Sequence, residues 1–166
     1  MRGRKAVREG EVTMPTVAIF ISLLGVVPLV VFGVGAVWNV PMTAERMLVA
    51  LIDYAAVVLA FSGGVHWGLG LVPEAQRTGV RFGAGALPLV VAWVALVLSQ
   101  FVAPTVALVA LIVGYLLTVL AEHRAARRAM VPPRYVWVRW GFSVVAMVMM
   151  VMVLVLRGVG QTIVFQ

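Results

Sequence analysis

Few residues in this chain could do chemistry. There is no cysteine among its 166 residues, so disulfides, thiolate metal sites, iron–sulfur clusters and cysteine nucleophiles are excluded, and His66 and His123 are the only nitrogen ligands. Asp53 is the only acid inside a long apolar run. A charge at membrane depth is costly, so Asp53 reads either as a proton or cation site with Tyr54 or Arg46 as neighbour, or as an interface-level group at the positive end of a helix dipole. His66 has the imidazole that could serve as an axial haem ligand, a quinone contact or a proton relay; the plainer reading is a hydrogen-bonded structural histidine. Thirteen residues separate Asp53 from His66. On a helix that is about 20 Å of rise and about 220° of rotation, so the two form no dyad. His123, between Glu122 and Arg124, is the only histidine available as a partner, and it sits nearer water than a bis-histidine haem would want. No Ser–His–Asp set, P-loop, dinucleotide fingerprint or metal cluster is present, and no residue is assigned a catalytic role.

A second group has small side chains. Ser62, Gly63, Gly64, Trp67 and Gly68 lie around His66, and Gly64 and Gly68 form a GxxxG pair. In lipid such a pair lets another helix approach closely, and Ser62 can add an interhelical hydrogen bond. The expected role is packing: Gly64 and Gly68 should mark the buried face of their helix or the contact with a partner. The methionines Met147, Met149, Met150 and Met152 read as adaptable packing rather than a copper(I) site.

These residues must be held by membrane helices. The chain is 63% apolar and only 11% charged, too little polar surface for a water-facing domain. Its net charge of +7 flanks apolar runs, a topological pattern rather than the footprint of a nucleic-acid binder, and no nucleic-acid partner is expected. The fold class is therefore all-α, a polytopic membrane helical bundle of about five spans: 15–37, with Pro28 kinking its middle; 47–72; 82–100, with Pro88 in its first turns; 102–121; and 136–156. Residues 1–13 read as a disordered basic leader with Met14 as an alternative start, 14–158 as one transmembrane domain and 159–166 as a short tail.

The basic residues predict sidedness. Eleven of thirteen fall in the leader, the 73–82 linker and the 122–140 segment, against Arg46 and Arg157 on the other side. The positive-inside rule then places the N-terminus in the cytoplasm, or the matrix in an organelle, and the C-terminus outside. Arg124, Arg127, Arg128, Arg134 and Arg139 are expected to serve topology and attraction to anionic headgroups, with Arg139 snorkelling.

The stretch YAAVVLAFSGGVHWGLGL (54–71), with LLGVVPLV early in the chain and VPPRYVWVR before the last span, resembles an uncharacterised family of small membrane proteins. That family is found in many proteobacteria and includes the mitochondrial transmembrane protein 69 of animals. The resemblance implies a compact helical membrane protein of about five spans and brings no established reaction. The leading expectation is a non-enzymatic protein of the bacterial inner membrane, or of the mitochondrial one if organellar. It would act as an accessory or assembly partner of a larger membrane complex, meeting another subunit or a second copy of itself through the small face of the 47–72 span. The alternative is a small-molecule membrane protein, a proton-coupled carrier or a haem or quinone binder, that uses His66.

Overall fold

The computed structural model describes residues 16–71, 78–127 and 133–160, and every element in them is helical. The expected leader, residues 73–77 of the 73–82 linker, Arg128 and residues 161–166 lie outside the described residues, as does the side chain of Arg134. Six helices follow in order: α1 (Thr16–Leu24), α2 (Val26–Gly35), α3 (Pro41–Gly70), α4 (Thr78–Phe101), α5 (Pro104–Arg127) and α6 (Pro133–Gly158). Four of them contain stretches long and apolar enough to cross a membrane: Pro41–Gly68, Gly79–Phe101, Pro104–Arg124 and Trp137–Gly158. The protein is an integral membrane helical bundle.

The first apolar run is broken as α1 and α2. Pro28 has no N–H for the Leu24 carbonyl and its ring crowds that oxygen, so the helix interrupts at Gly25, one turn before the proline. The Tyr54 hydroxyl donates to the Gly25 carbonyl at 2.8 Å and pins the break to α3. Gly25 is in the ordinary helical region, and its lack of a side chain serves packing: a Cβ there would meet the Phe142 ring at 3.2 Å.

Several helix ends lie further out than hydropathy suggests. Pro41 opens α3, where a missing N–H costs nothing, so α3 begins six residues before Met47. Likewise α4 begins at Thr78, and Pro88 sits inside it rather than in its first turns, depriving the Ala84 carbonyl of its helical partner. α5 runs through Glu122, Arg124 and Arg127.

α3 is the central element. Leu48, Leu51, Ile52, Ala55, Ala56 and Leu59 recur at helical spacing and are fully buried or nearly so. They meet Ala92 and Ala95 of α4, Leu108, Leu111 and Tyr115 of α5, and Leu29 of α2 in one apolar core. The Tyr115 hydroxyl, inside that core, donates to the Ala55 carbonyl at 3.0 Å. α6 completes the bundle against α5, α2 and α1, with Met150 wholly buried. The outer surface carries large apolar side chains such as Phe61, Trp93 and Phe101, as lipid contact requires.

Candidate functional site

The most unusual chemistry lies where α5 ends and α6 begins. Arg139 Nε donates to Glu122 Oε1 at 3.0 Å, and the side chains are only 10% and 3% exposed. Both residues are third from the end of their membrane-spanning stretches, Pro104–Arg124 and Trp137–Gly158, so antiparallel packing brings them to one depth. A buried ion pair gains little net stability, but removing one partner strands the other charge. This pair is also incompletely satisfied: Glu122 Oε2 and Arg139 Nη2 have no hydrogen-bond partner among the described residues, nor do the neighbouring Trp140 Nε1 and Ser143 Oγ. Four buried orphans in one cluster are exceptional, because interiors pair nearly all such groups.

Arg139 forms part of the wall of a cavity of about 290 Å³. α1 contributes Ile21 and Ser22 to it, α3 contributes Tyr54, Val58, Phe61, Ser62 and Val65, and α6 contributes Val138 and Phe142 beside Arg139. It lies between α1, α3 and α6, beside the interruption at Gly25. Its hydroxyl hydrogens are partly committed: Tyr54 donates to Gly25, and Ser62 Oγ donates to its own helix at the Leu59 carbonyl, 2.5 Å away. Ser62 therefore lines this cavity and makes no interhelical bond of the kind expected from its position.

His66 lies elsewhere. It borders a cavity of about 30 Å³ between α3, α4 and α5, together with Ala84, Pro88 and Thr118. That is space for about one water molecule, far too small for a haem or a quinone ring. Glu122, Arg81 and Arg139 are within electrostatic range of His66, so the imidazole belongs to the charged end of the bundle without touching the large cavity. His123 is exposed and packs against Trp140 with the rings tilted by 40° and their centroids 5.4 Å apart. The two histidines thus occupy different environments.

The glycines divide differently from expectation. Gly63 is the close-contact residue: a Cβ there would collide with the Gly85 carbonyl of α4, and one on Gly85 would strike the Trp67 ring. Gly64 and Gly68 are exposed, and a Cβ on either would meet nothing within 4 Å. The GxxxG pair therefore does not mark the buried face of α3. The tight face is one residue around the helix, which GxxxG spacing cannot reveal without the register of α4. Trp67 helps set that register, donating from Nε1 to the Phe82 carbonyl at 3.1 Å.

Asp53 is exposed on α3 and bonded to neither expected neighbour: the Tyr54 hydroxyl is engaged with Gly25, and Arg46 is itself exposed. Arg124 and Arg127 are exposed at the end of α5. No group of three or more metal-ligating side chains occurs among the described residues. At the opposite end of α6, Arg157 Nη1 donates to the Ala36 carbonyl at 3.0 Å while Nη2 pairs with Glu45. Sequence reasoning missed the Glu122–Arg139 pair; the available signal was that Glu122 is the sole acid in the basic 122–140 segment.

No curated protein and no solved structure matches the chain. A family described as "Protein of unknown function (DUF3429)" matches residues 14–155, a range that takes in all three stretches carrying the sequence resemblance but names no mitochondrial relative. On that extent of match, the chain belongs to the DUF3429 family of membrane-helical proteins of unknown function.

Proposed function

We propose that this protein binds a small lipid-soluble molecule in the cavity between α1, α3 and α6. The observation that carries the reading is the placement of Arg139, a buried and incompletely satisfied cation, in the wall of an otherwise largely apolar cavity of about 290 Å³. Ligand sites typically combine apolar walls with a few placed polar groups, at volumes from about 300 Å³ upward. The small-molecule reading thus moves from His66, where space is lacking, to Arg139. Native mass spectrometry of the full chain released from mild detergent tests it. A bound small molecule is expected with the unaltered chain and lost in Val58→Phe, which fills the cavity; equal occupancy in both would refute the assignment.

A second reading, assembly with another membrane subunit or a second copy, is favoured by one observation: Gly64 and Gly68 face away from every other described helix. Because the chain has no cysteine, Gly64→Cys gives a unique cross-linking handle. Cross-linking in native membranes to one defined species supports assembly, and its absence counts against it.

A further inference from the structure

We infer that the occupant of the cavity is a single-chain amphiphile with an anionic headgroup, a carboxylate or a phosphate monoester, its head on Arg139 and its tail running toward Tyr54. This rests on reading the cavity as a binding site, and it names what the site selects.

Depth gives the orientation. Arg139 is the third residue of the membrane-spanning stretch Trp137–Gly158, at the level where headgroups lie, and the exposed Trp137 anchors that level. Tyr54 is fourteen residues from Gly68 at the same end of the bundle, about 21 Å along α3 at 1.5 Å per residue. The cavity therefore runs from an arginine at the interface to apolar walls near mid-membrane, the layout of an amphiphile standing in a leaflet.

The hydrogen-bond inventory identifies the head. Tyr54 and Ser62 have already donated their hydrogens to backbone carbonyls. Arg139 has committed Nε to Glu122, and its side chain forms part of the cavity wall, the one charged group there. A guanidinium held at Nε offers its remaining N–H groups as a fork, which suits the paired oxygens of a carboxylate or phosphate. Glu122 is then a positioning residue: it holds the guanidinium at Nε and does not itself line the cavity. Charge points the same way, since the described residues at this end include Arg81, Arg124, Arg127 and Arg139 against Glu122 alone. The volume of about 290 Å³ suits one tail and not the two chains of a phospholipid.

The test uses the purified full chain in dodecyl maltoside, titrated separately with oleate, oleoyl lysophosphatidate, neutral monoolein and neutral decylubiquinone, with melting temperature as readout. A saturable rise is expected with one or both acidic probes, and the tighter of the two identifies the headgroup. Val58→Phe should abolish that rise. Arg139→Met combined with Glu122→Leu, which removes both charges together, should weaken the acidic probes by about tenfold and leave monoolein unchanged. If monoolein or decylubiquinone binds as tightly as the acids and is lost in Val58→Phe, the cavity is a binding site but the anionic assignment is wrong. If no probe responds to Val58→Phe, the cavity reading itself falls.

Discussion

α6 carries Arg139 toward one end and Arg157 at the other, and these two are used in opposite ways. Arg157 is 28% exposed and its partner Glu45 58% exposed; one guanidinium nitrogen holds the Ala36 carbonyl and another the Glu45 carboxylate, so the side chain ties the last turn of α6 to the α2–α3 connection. Arg139 is 10% exposed beside a 3% exposed glutamate, and it leaves donor capacity unused where water cannot readily make up the difference. The first arginine is a strut in a wet, screened place, of the kind worth about 0–1 kcal/mol. The second has been taken out of water and left partly unmatched. Two arginines of one helix thus sit in different environments, and burial with incomplete pairing is what sets the Arg139 pair apart from a tether.

The largest expected effect tests that contrast. Glu122→Ala should destabilise the protein by about 3–5 kcal/mol, because it strands a buried guanidinium, whereas Glu45→Ala should cost less than about 1 kcal/mol. Reversible unfolding in mixed micelles measures both, and equal losses would erase the distinction. Next come the glycines of α3. Gly63→Leu should cost about 1–3 kcal/mol or more through collision with the Gly85 carbonyl, while Gly64→Leu should leave the melting temperature of the isolated chain nearly unchanged. A severe Gly64→Leu loss that appears only in native membranes would instead locate a partner on that face. Among the arginines of the basic end, Arg124→Ala and Arg127→Ala should each weaken association with anionic vesicles by about 1 kcal/mol without unfolding, setting exposed headgroup contacts apart from Arg139. The smallest effect belongs to His66→Gln, which keeps hydrogen-bonding capacity in a cavity of about 30 Å³ and should shift the melting temperature only slightly. Loss of ligand binding in that variant, with melting intact, would return His66 to the centre of the chemistry.

Which side of the membrane each arginine faces is a separate question with its own measurement. On the positive-inside rule the Arg139 end is cytoplasmic and the Arg157 end external, so a reporter inserted near Ala129 should read inside and one fused after Gln166 outside. Matching sides for the two reporters would overturn that orientation.

Hydropathy was enough to read the membrane-bundle class, because a bilayer demands continuous apolar runs. It read the ends poorly. α3 starts at Pro41 and α5 continues to Arg127 because charged and proline-capped turns remain helical beyond the hydrocarbon, where composition stops reporting on structure. Pro28 foretold a disturbance; that it would interrupt the helix at Gly25, held by a tyrosine on another helix, required knowing that Gly25 meets α3. The candidate site was the least legible part. Glu122 and Arg139 are ordinary interfacial charges until two antiparallel helices bring them to one depth, and Gly63 is indistinguishable from Gly64 until the register against Gly85 is known. His66 drew attention by residue type, but its surroundings leave it almost no space.

The break at Gly25 also governs how the cavity communicates with its surroundings. Its outer wall is α1, a helix of nine residues whose Phe20, Ile21, Leu23 and Leu24 are all more than 60% exposed and so face acyl chains. On the proposed function, a molecule passing that wall would arrive by lateral diffusion within the leaflet rather than through buffer. The concentration that sets occupancy is then the mole fraction of the molecule in the bilayer, fixed by its partitioning and by how much lipid is present. Affinities expressed per litre of buffer should drift as lipid is added, and those expressed in mole per cent of lipid should hold constant.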